Sequence, residues 1–173
     1  MKCELVTGAA GCIGSHLTEE LIDRGYDVRA LDSLATGSLN NLESIADHDS
    51  FTFIDGDIRD KETLDSCIEG VDYVFHQAAV ASVQRSFEQP SVVSDINCTG
   101  TSMLLEAAKK ADVETVVVAS SAAVYGSGGE LPKREAMPVA PESPYALSKQ
   151  YTEQAAVQIG AEYDFNAVGL RYF

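Results

Sequence analysis

The chain has 173 residues, of which 45% are hydrophobic and 23% charged. That length suits one α/β domain burying roughly 70% of its unfolded surface, and the apolar share argues against disorder. With 27 acids against 12 lysines and arginines, the net charge of −15 disfavours a nucleic-acid surface. The same excess is compatible with solubility in concentrated salt, where self-repulsion is screened, so a salt-loving source is one expectation and an ordinary acidic enzyme the other. No apolar run approaches the ~20 residues of a membrane span. Met1-Lys2-Cys3-Glu4 leads straight into a strand pattern without a signal-peptide core, so the expected location is the cytoplasm. Cys3, Cys12, Cys67 and Cys98 make no C-x-x-C pair and stand at no zinc spacing from His16, His48 or His76, which leaves four reduced cysteines and no metal as the expectation.

Residues 3–7 read as a strand that enters a glycine-rich turn. A helix over 12–24 follows, with Ile13, Leu17 and Leu21 recurring every four residues and Gly25 placed for a left-handed cap. Strands at 27–32 and 51–55 come next, then a helix at 61–69 with Asp60 as its N-cap. Tyr73-Val74-Phe75-His76 is a short continuous run of the kind found in sheets covered on both faces. One long helix is expected beyond Pro90, over about 91–111, with Ile96, Met103, Leu104, Leu105 and Ala108 in its apolar pattern. A strand at 115–119 runs into the small-residue turn Ser120 to Ala123, and the Gly- and Pro-rich residues 126–144 read as an irregular surface loop. A helix at 144–160 and a strand at 165–172 complete the pattern. The alternation predicts an α/β fold, a doubly wound parallel sheet in three α/β/α layers, with residues 1–173 forming one dinucleotide-binding Rossmann domain. Nothing after Arg171-Tyr172-Phe173 covers that edge, so the expectation is a fragment lacking a C-terminal substrate lobe.

The turn after the first strand carries Gly8, Gly11 and Gly14. In a strand–turn–helix context the first glycine permits the tight turn, the second lets the backbone approach a pyrophosphate, and the third lets helix and sheet pack closely. The helix start offers free N–H groups and a positive dipole end. Asp32 ends the second strand at the spacing expected of an acid that binds ribose hydroxyls, which favours NAD over NADP; a loop-capping aspartate is the bland alternative. Arg29 lies within the strand, poorly placed to receive a 2′-phosphate. Asp57 follows the third strand and could accept a bond from an adenine amino group, or could only initiate a helix. Gln77, Ala78 and Ala79 would let a flat cofactor lie against backbone, and His76 reads as a structural strand-end histidine.

Tyr145 and Lys149 are four residues apart and therefore share a helix face. A phenol is a poor base at neutral pH, but a neighbouring cation stabilises its phenolate. Ser121 can hydrogen-bond the oxygen of a reacting carbinol or carbonyl. Tyr-x-x-x-Lys alone is a weak signal; it gains weight downstream of the dinucleotide turn and of Ser121.

These motifs together resemble the extended short-chain dehydrogenase/reductase family, and within it the UDP-hexose 4-epimerases. Thr7 to Gly14 is similar to T-G-x-x-G-x-x-G, Asp32 to Gly37 to the ribose segment D-N-L-x-T-G, Asn97 to Thr101 to N-x-x-G-T, Ser120 to Gly126 to S-S-x-x-V-Y-G, and Ser143 to Lys149 to S-P-Y-x-x-S-K. The resemblance implies that Tyr145 is the base, Lys149 its partner, and Ser121, with Tyr145, the substrate ligand. It implies an NAD site that includes Cys12, Ile13, Ser33, Thr36, Gly37, Ile58, Ala81, Asn97, Ala119, Tyr172 and Phe173 beside the residues above. Cys12 departs from the bulky aromatic usual there. Dehydratases of the family carry an Asp-Glu pair after the serine or threonine; Ala122 and Ala123 stand here, which favours epimerisation of a nucleotide sugar through a transient 4-keto sugar. The resemblance also implies a homodimer through the helices near 91–111 and 144–160. A dehydratase or reductase of the same family, and a non-catalytic NAD-binding module, remain as alternatives.

Overall fold

In the computed structural model, which describes residues 2–163 and 165–173, six parallel strands lie in the order β3-β2-β1-β4-β5-β6. They are β1 (Cys3–Thr7), β2 (Asp27–Asp32), β3 (Phe51–Asp55), β4 (Tyr73–His76), β5 (Thr115–Ser121) and β6 (Asn166–Tyr172). Leu5 and Val6 point to opposite faces of β1 and are both fully buried, as a central strand requires. The chain winds outward from β1 to β3, then returns to β4 on the other side of β1. Right-handed crossovers therefore fall on opposite faces, and a crevice opens beyond the carboxyl ends of β1 and β4.

Helix α1 (Cys12–Asp23) and a 3-10 turn over Leu39–Ile45 cover one face, packing Leu21, Ile22 and Leu42 on Val6, Val28 and Ala30. Gly25 ends α1 in the left-handed region as expected, at φ 85°. On the opposite face lie α2 (Lys61–Ile68), α5 (Gly100–Lys110) and α6 (Pro144–Tyr163), whose apolar residues meet Leu5, Leu31, Val74, Val116 and Val118. Asp60 caps α2 by accepting from the Glu62 amide at 2.9 Å.

The structure differs from the sequence expectation in three places. Ile13 is 50% exposed and outside the core, because the first turn of α1 projects beyond the sheet. The helix beyond Pro90 is not uniform: α4 (Pro90–Ser94) passes through a π-helical turn (Asp95–Thr99) into α5, and a short helix α3 (Val83–Glu88) precedes it. The Thr101 hydroxyl bonds the Asn97 carbonyl at 2.5 Å inside this widened turn. β5 runs two residues further than expected, so Ser121 ends a strand and does not sit in a turn. The expected cover on both faces of β4 is present, with Phe75 packed on the cluster beneath α1 and Val74 on the opposite one, whereas Val168 and Leu170 of β6 are 43% and 42% exposed.

Candidate active site

Local backbone geometry shapes the first half of the crevice. Gly8 has φ 68°, and a Cβ there would come within 2.6 Å of the Ala78 amide nitrogen. A Cβ on Gly14 would overlap the Gly8 carbonyl, and one on Gly37 would lie 2.9 Å from Ala10. The first helical bond of α1 runs from the Ser15 amide to the Gly11 carbonyl at 3.0 Å, which leaves the Cys12, Ile13 and Gly14 amides of its first turn without an intrahelical partner. Asp32 is 9% exposed; Oδ2 accepts from the Ala10 amide at 2.9 Å and Oδ1 from the Leu34 amide at 2.8 Å. Its carboxylate is thus fixed in place and keeps lone pairs for hydroxyl donors. Arg29 points elsewhere, donating to the Cys67 and Glu69 carbonyls at the end of α2.

The crevice collects many of the residues singled out from sequence: Gly8 and Gly11 on the turn, Asp32, Ser33 and Thr36 after β2, Asp57 and Ile58 after β3, and Gln77, Ala78 and Ala79 after β4. It also holds Arg59 and Arg85, which the sequence reading missed. Arg59 grips Asp57 with Nε at 3.0 Å and Nη2 at 2.6 Å, and reaches Asp95 at 2.6 Å. The guanidinium holds the Asp57 carboxyl below its usual range. Arg59 lies two positions after Asp57, and that local spacing was the available signal.

Ser121, Tyr145 and Lys149 do not line this crevice; their region, at the carboxyl end of β5, is built by side chains. Lys149 is 5% exposed and its Nζ donates to the Ala119 carbonyl at 2.9 Å, which brings α6 onto the end of β5. Burial lowers its ammonium pKa to about 8. Ser121 Oγ accepts from the Ala123 amide at 3.1 Å and caps a 3-10 turn over Ala122–Tyr125. Tyr145 stands one turn before Lys149 on α6 and is half-buried. Asn97 is buried and its amide is committed internally: Oδ1 accepts from the Val80 amide at 2.8 Å, and Nδ2 donates to Ser148 Oγ at 2.9 Å and to the Val80 carbonyl at 3.3 Å. It ties the π-helical turn to α6 rather than facing the crevice. Tyr172 accepts from Gln77 Nε2 at 3.2 Å, whereas Phe173 is 88% exposed and stacks on Tyr125. Cys12 and Ala81 are exposed beside the crevice, and Ala119 is buried. His76 is buried between the Thr7 and Thr101 hydroxyls, at 2.7 and 2.9 Å, and burial drops its pKa to about 3. A neutral histidine between two hydroxyls has a structural role.

The sequence matches the model of the NAD dependent epimerase/dehydratase family over residues 4–173. It is 44% identical over 147 residues to a UDP-glucose 4-epimerase of Mycolicibacterium smegmatis, covering 84% of this chain and 47% of the relative. Among solved structures, the UDP-N-acetylglucosamine 4-epimerase of Methanobrevibacter ruminantium M1, in complex with UDP-N-acetylmuramic acid, superposes with a TM-score of 0.94 at 36% identity, over 99% of this chain and 55% of that one. The dTDP-glucose 4,6-dehydratase of Streptomyces venezuelae, with NAD bound, gives 0.93 at 37% identity, over 98% and 55%. The chain therefore spans about half the length of these relatives. A family match over nearly every residue, on a fold and crevice of this form, makes the chain a member of the NAD dependent epimerase/dehydratase family.

Proposed function

We propose that residues 1–173 are the NAD-binding Rossmann domain of a nucleotide-sugar 4-epimerase acting on a UDP-hexose, whose further length builds the sugar-nucleotide pocket. The observation that carries this reading is the buried Lys149 amine, anchored at 2.9 Å to the strand that ends in Ser121 and one helical turn from Tyr145. The crevice fits NAD on its own chemistry. It offers a tight glycine turn packed on Ala78 at Gly8 and on Ala10 at Gly37, free amides at the start of α1, and a fixed carboxylate at Asp32. In this reading Gly8, Gly11, Cys12, Ile13 and Gly14 face the pyrophosphate, and Asp32, Ser33, Thr36 and Gly37 the ribose. Asp57 and Ile58 face the adenine, and Gln77, Ala78, Ala79, Ala81, Ala119, Tyr172 and Phe173 the nicotinamide side; Asn97 acts from behind.

When bound, NAD would supply a reversible acceptor for the C4 hydride of the sugar. Tyr145 removes the proton of the 4-hydroxyl as the hydride leaves, and restores it after the 4-keto sugar has turned its other face. Lys149 stabilises the Tyr145 phenolate by its charge, which its lowered pKa keeps adjustable near neutrality. Ser121 holds the reacting oxygen. The fold does not separate epimerase from dehydratase, since both superpose closely. Ala122 and Ala123, which cannot transfer protons, favour epimerisation. The test is to feed UDP-glucose or UDP-N-acetylglucosamine to the protein at its full length. Interconversion without net NADH supports the reading, and stoichiometric NADH or water elimination contradicts it.

Three further features belong to the proposal. Phe87, Leu147 and Tyr151 are 61%, 59% and 43% exposed on the side of α3 and α6, which supports a homodimer across those helices and α4–α5; sedimentation tests it. Four free thiols support a reducing compartment such as the cytoplasm, and no helix among the described residues is long and apolar enough to cross a membrane. The charge of −15 supports a working environment of high salt, which a melting temperature that rises with potassium chloride would bear out.

A further inference from the structure

The short link between β3 and α2 holds more contacts than a turn needs. Asp57 opens a turn that the Asp60 amide closes on the Asp57 carbonyl at 2.9 Å, and its Oδ1 accepts from the Arg59 amide at 2.8 Å. An aspartate that folds its side chain back on the amide two residues ahead is ordinary turn chemistry. The grip of the Arg59 side chain is not part of it. Nε donates to Asp57 Oδ1 at 3.0 Å and Nη2 to Oδ2 at 2.6 Å. Nη1 donates to Asp95 Oδ2 at 2.6 Å, on the π-helical turn 36 residues from Arg59. At the same junction a Cβ on Gly100 would fall 2.5 Å from Ile58 Cδ1, so the start of α5 presses on the Ile58–Arg59 segment. Asp57, Ile58, Arg59 and Ile96 all line the crevice.

Stability is a poor reason for this arrangement. The Asp57, Arg59 and Asp95 side chains are 37%, 36% and 49% exposed, and ion pairs open to water contribute little. The geometric effect is larger. A carboxylate oxygen has two acceptor positions. Two donors fill both on Oδ1, and one donor takes one of those on Oδ2. Among the described residues, Asp57 therefore keeps one acceptor position, at a fixed place in the crevice wall. The guanidinium also holds the carboxyl below its usual range, so at neutral pH it accepts and does not donate. A purine with an amino group at C6 satisfies such a position, whereas one with a carbonyl there sets acceptor against acceptor.

We propose that Arg59 is a positioning residue for the cofactor's purine: anchored on Asp95, it turns Asp57 so that the free acceptor position meets the exocyclic amino group of adenine, and it thereby sets a preference for adenine over a 6-oxopurine. The inference rests on the proposed NAD site and deepens it, because it assigns base discrimination to a residue that need not touch the base.

The experiment is calorimetric titration of the 173-residue chain and its variants with NAD and with nicotinamide hypoxanthine dinucleotide, which carries a carbonyl in place of the adenine amino group. The parent should bind NAD about tenfold more tightly than the analogue, as expected for one hydrogen bond to a charged group. Arg59→Met should weaken NAD about fivefold and the analogue less than about twofold, which narrows the ratio to about threefold. Arg59→Lys keeps the charge without the two-pronged grip and should narrow the ratio likewise. Asp95→Asn, which releases Arg59 and leaves Asp57 in place, should narrow it to about fivefold. A purely structural role would weaken both dinucleotides equally, so a parental ratio in folded Arg59→Met overturns the proposal. If circular dichroism shows that Arg59→Met does not fold, Arg59→Lys decides, and a parental ratio there overturns it. A parent that binds NAD and the analogue equally overturns this proposal and leaves the proposed function standing, whereas a folded parent that binds neither contradicts both.

Discussion

The two sides of the sheet's carboxyl edge are built by different means. On the β1–β3 side, geometry comes from backbone: Gly8 at positive φ against Ala78, Gly14 under the Gly8 carbonyl, and an aspartate pinned by two amides. On the β4–β6 side it comes from side chains that cross between elements, with Lys149 on Ala119, Asn97 on Val80 and Ser148, and Glu153 on Ser120 and Arg171. A backbone-built site tolerates most side-chain exchanges and fails when a Cβ is added. A side-chain-built site does the reverse: its chemistry can be removed while the fold stays.

The largest expected effect separates the halves most sharply. Tyr145→Phe should lower turnover of the full-length protein by about 10²–10⁴-fold while NAD affinity stays within a factor of about three. A variant that lost both would show that the two halves are not separable. Next comes Gly8→Ala, which forces a Cβ against the Ala78 backbone at positive φ. It should cost about 3 kcal/mol of stability in a denaturant melt and abolish NAD binding. Retained binding would mean that the turn is softer than its geometry implies.

A smaller effect is expected from Asp32→Asn, which keeps shape and loses charge. NAD should bind about tenfold more weakly and the preference over NADP should narrow, both read by calorimetry. Glu4, at the far end of β1 from the turn, is a control outside the crevice. It is 2% exposed, its Oε2 has no partner among the described residues, and burial, aided by Asp72, raises its pKa to about 7. A carboxyl whose folded pKa lies above the unfolded 4.5 contributes stability that is present below 4.5 and lost as pH rises through 7. Glu4→Gln should therefore match the parent at pH 4 and exceed it by about 1–2 kcal/mol at pH 8, with NAD affinity unchanged. Equal stability at both values would contradict the shift.

The same contrast explains what the sequence made legible. Strands, glycine turn, Asp32 and the Tyr145–Lys149 spacing all obey short-range rules, and each could be read within a few dozen residues. The π-helical turn could not be read, because Asp95–Thr99 fits an ordinary helical pattern and widens where the Asn97 side-chain amide meets Ser148 and its carbonyl meets Thr152, both on α6. Arg59 bridging to Asp95 and Arg171 to Glu153 were hidden for a related reason, since their partners lie 36 and 18 residues away and come from other elements.

The central claim is a cofactor half whose binding surface and chemistry are separable. Calorimetric titration of NAD into the folded 173-residue chain, its Tyr145→Phe variant and its Gly8→Ala variant tests it most directly. Micromolar binding to the first two and none to the third is the predicted result. Absence of binding to the parent chain, with circular dichroism showing it folded, would contradict the account.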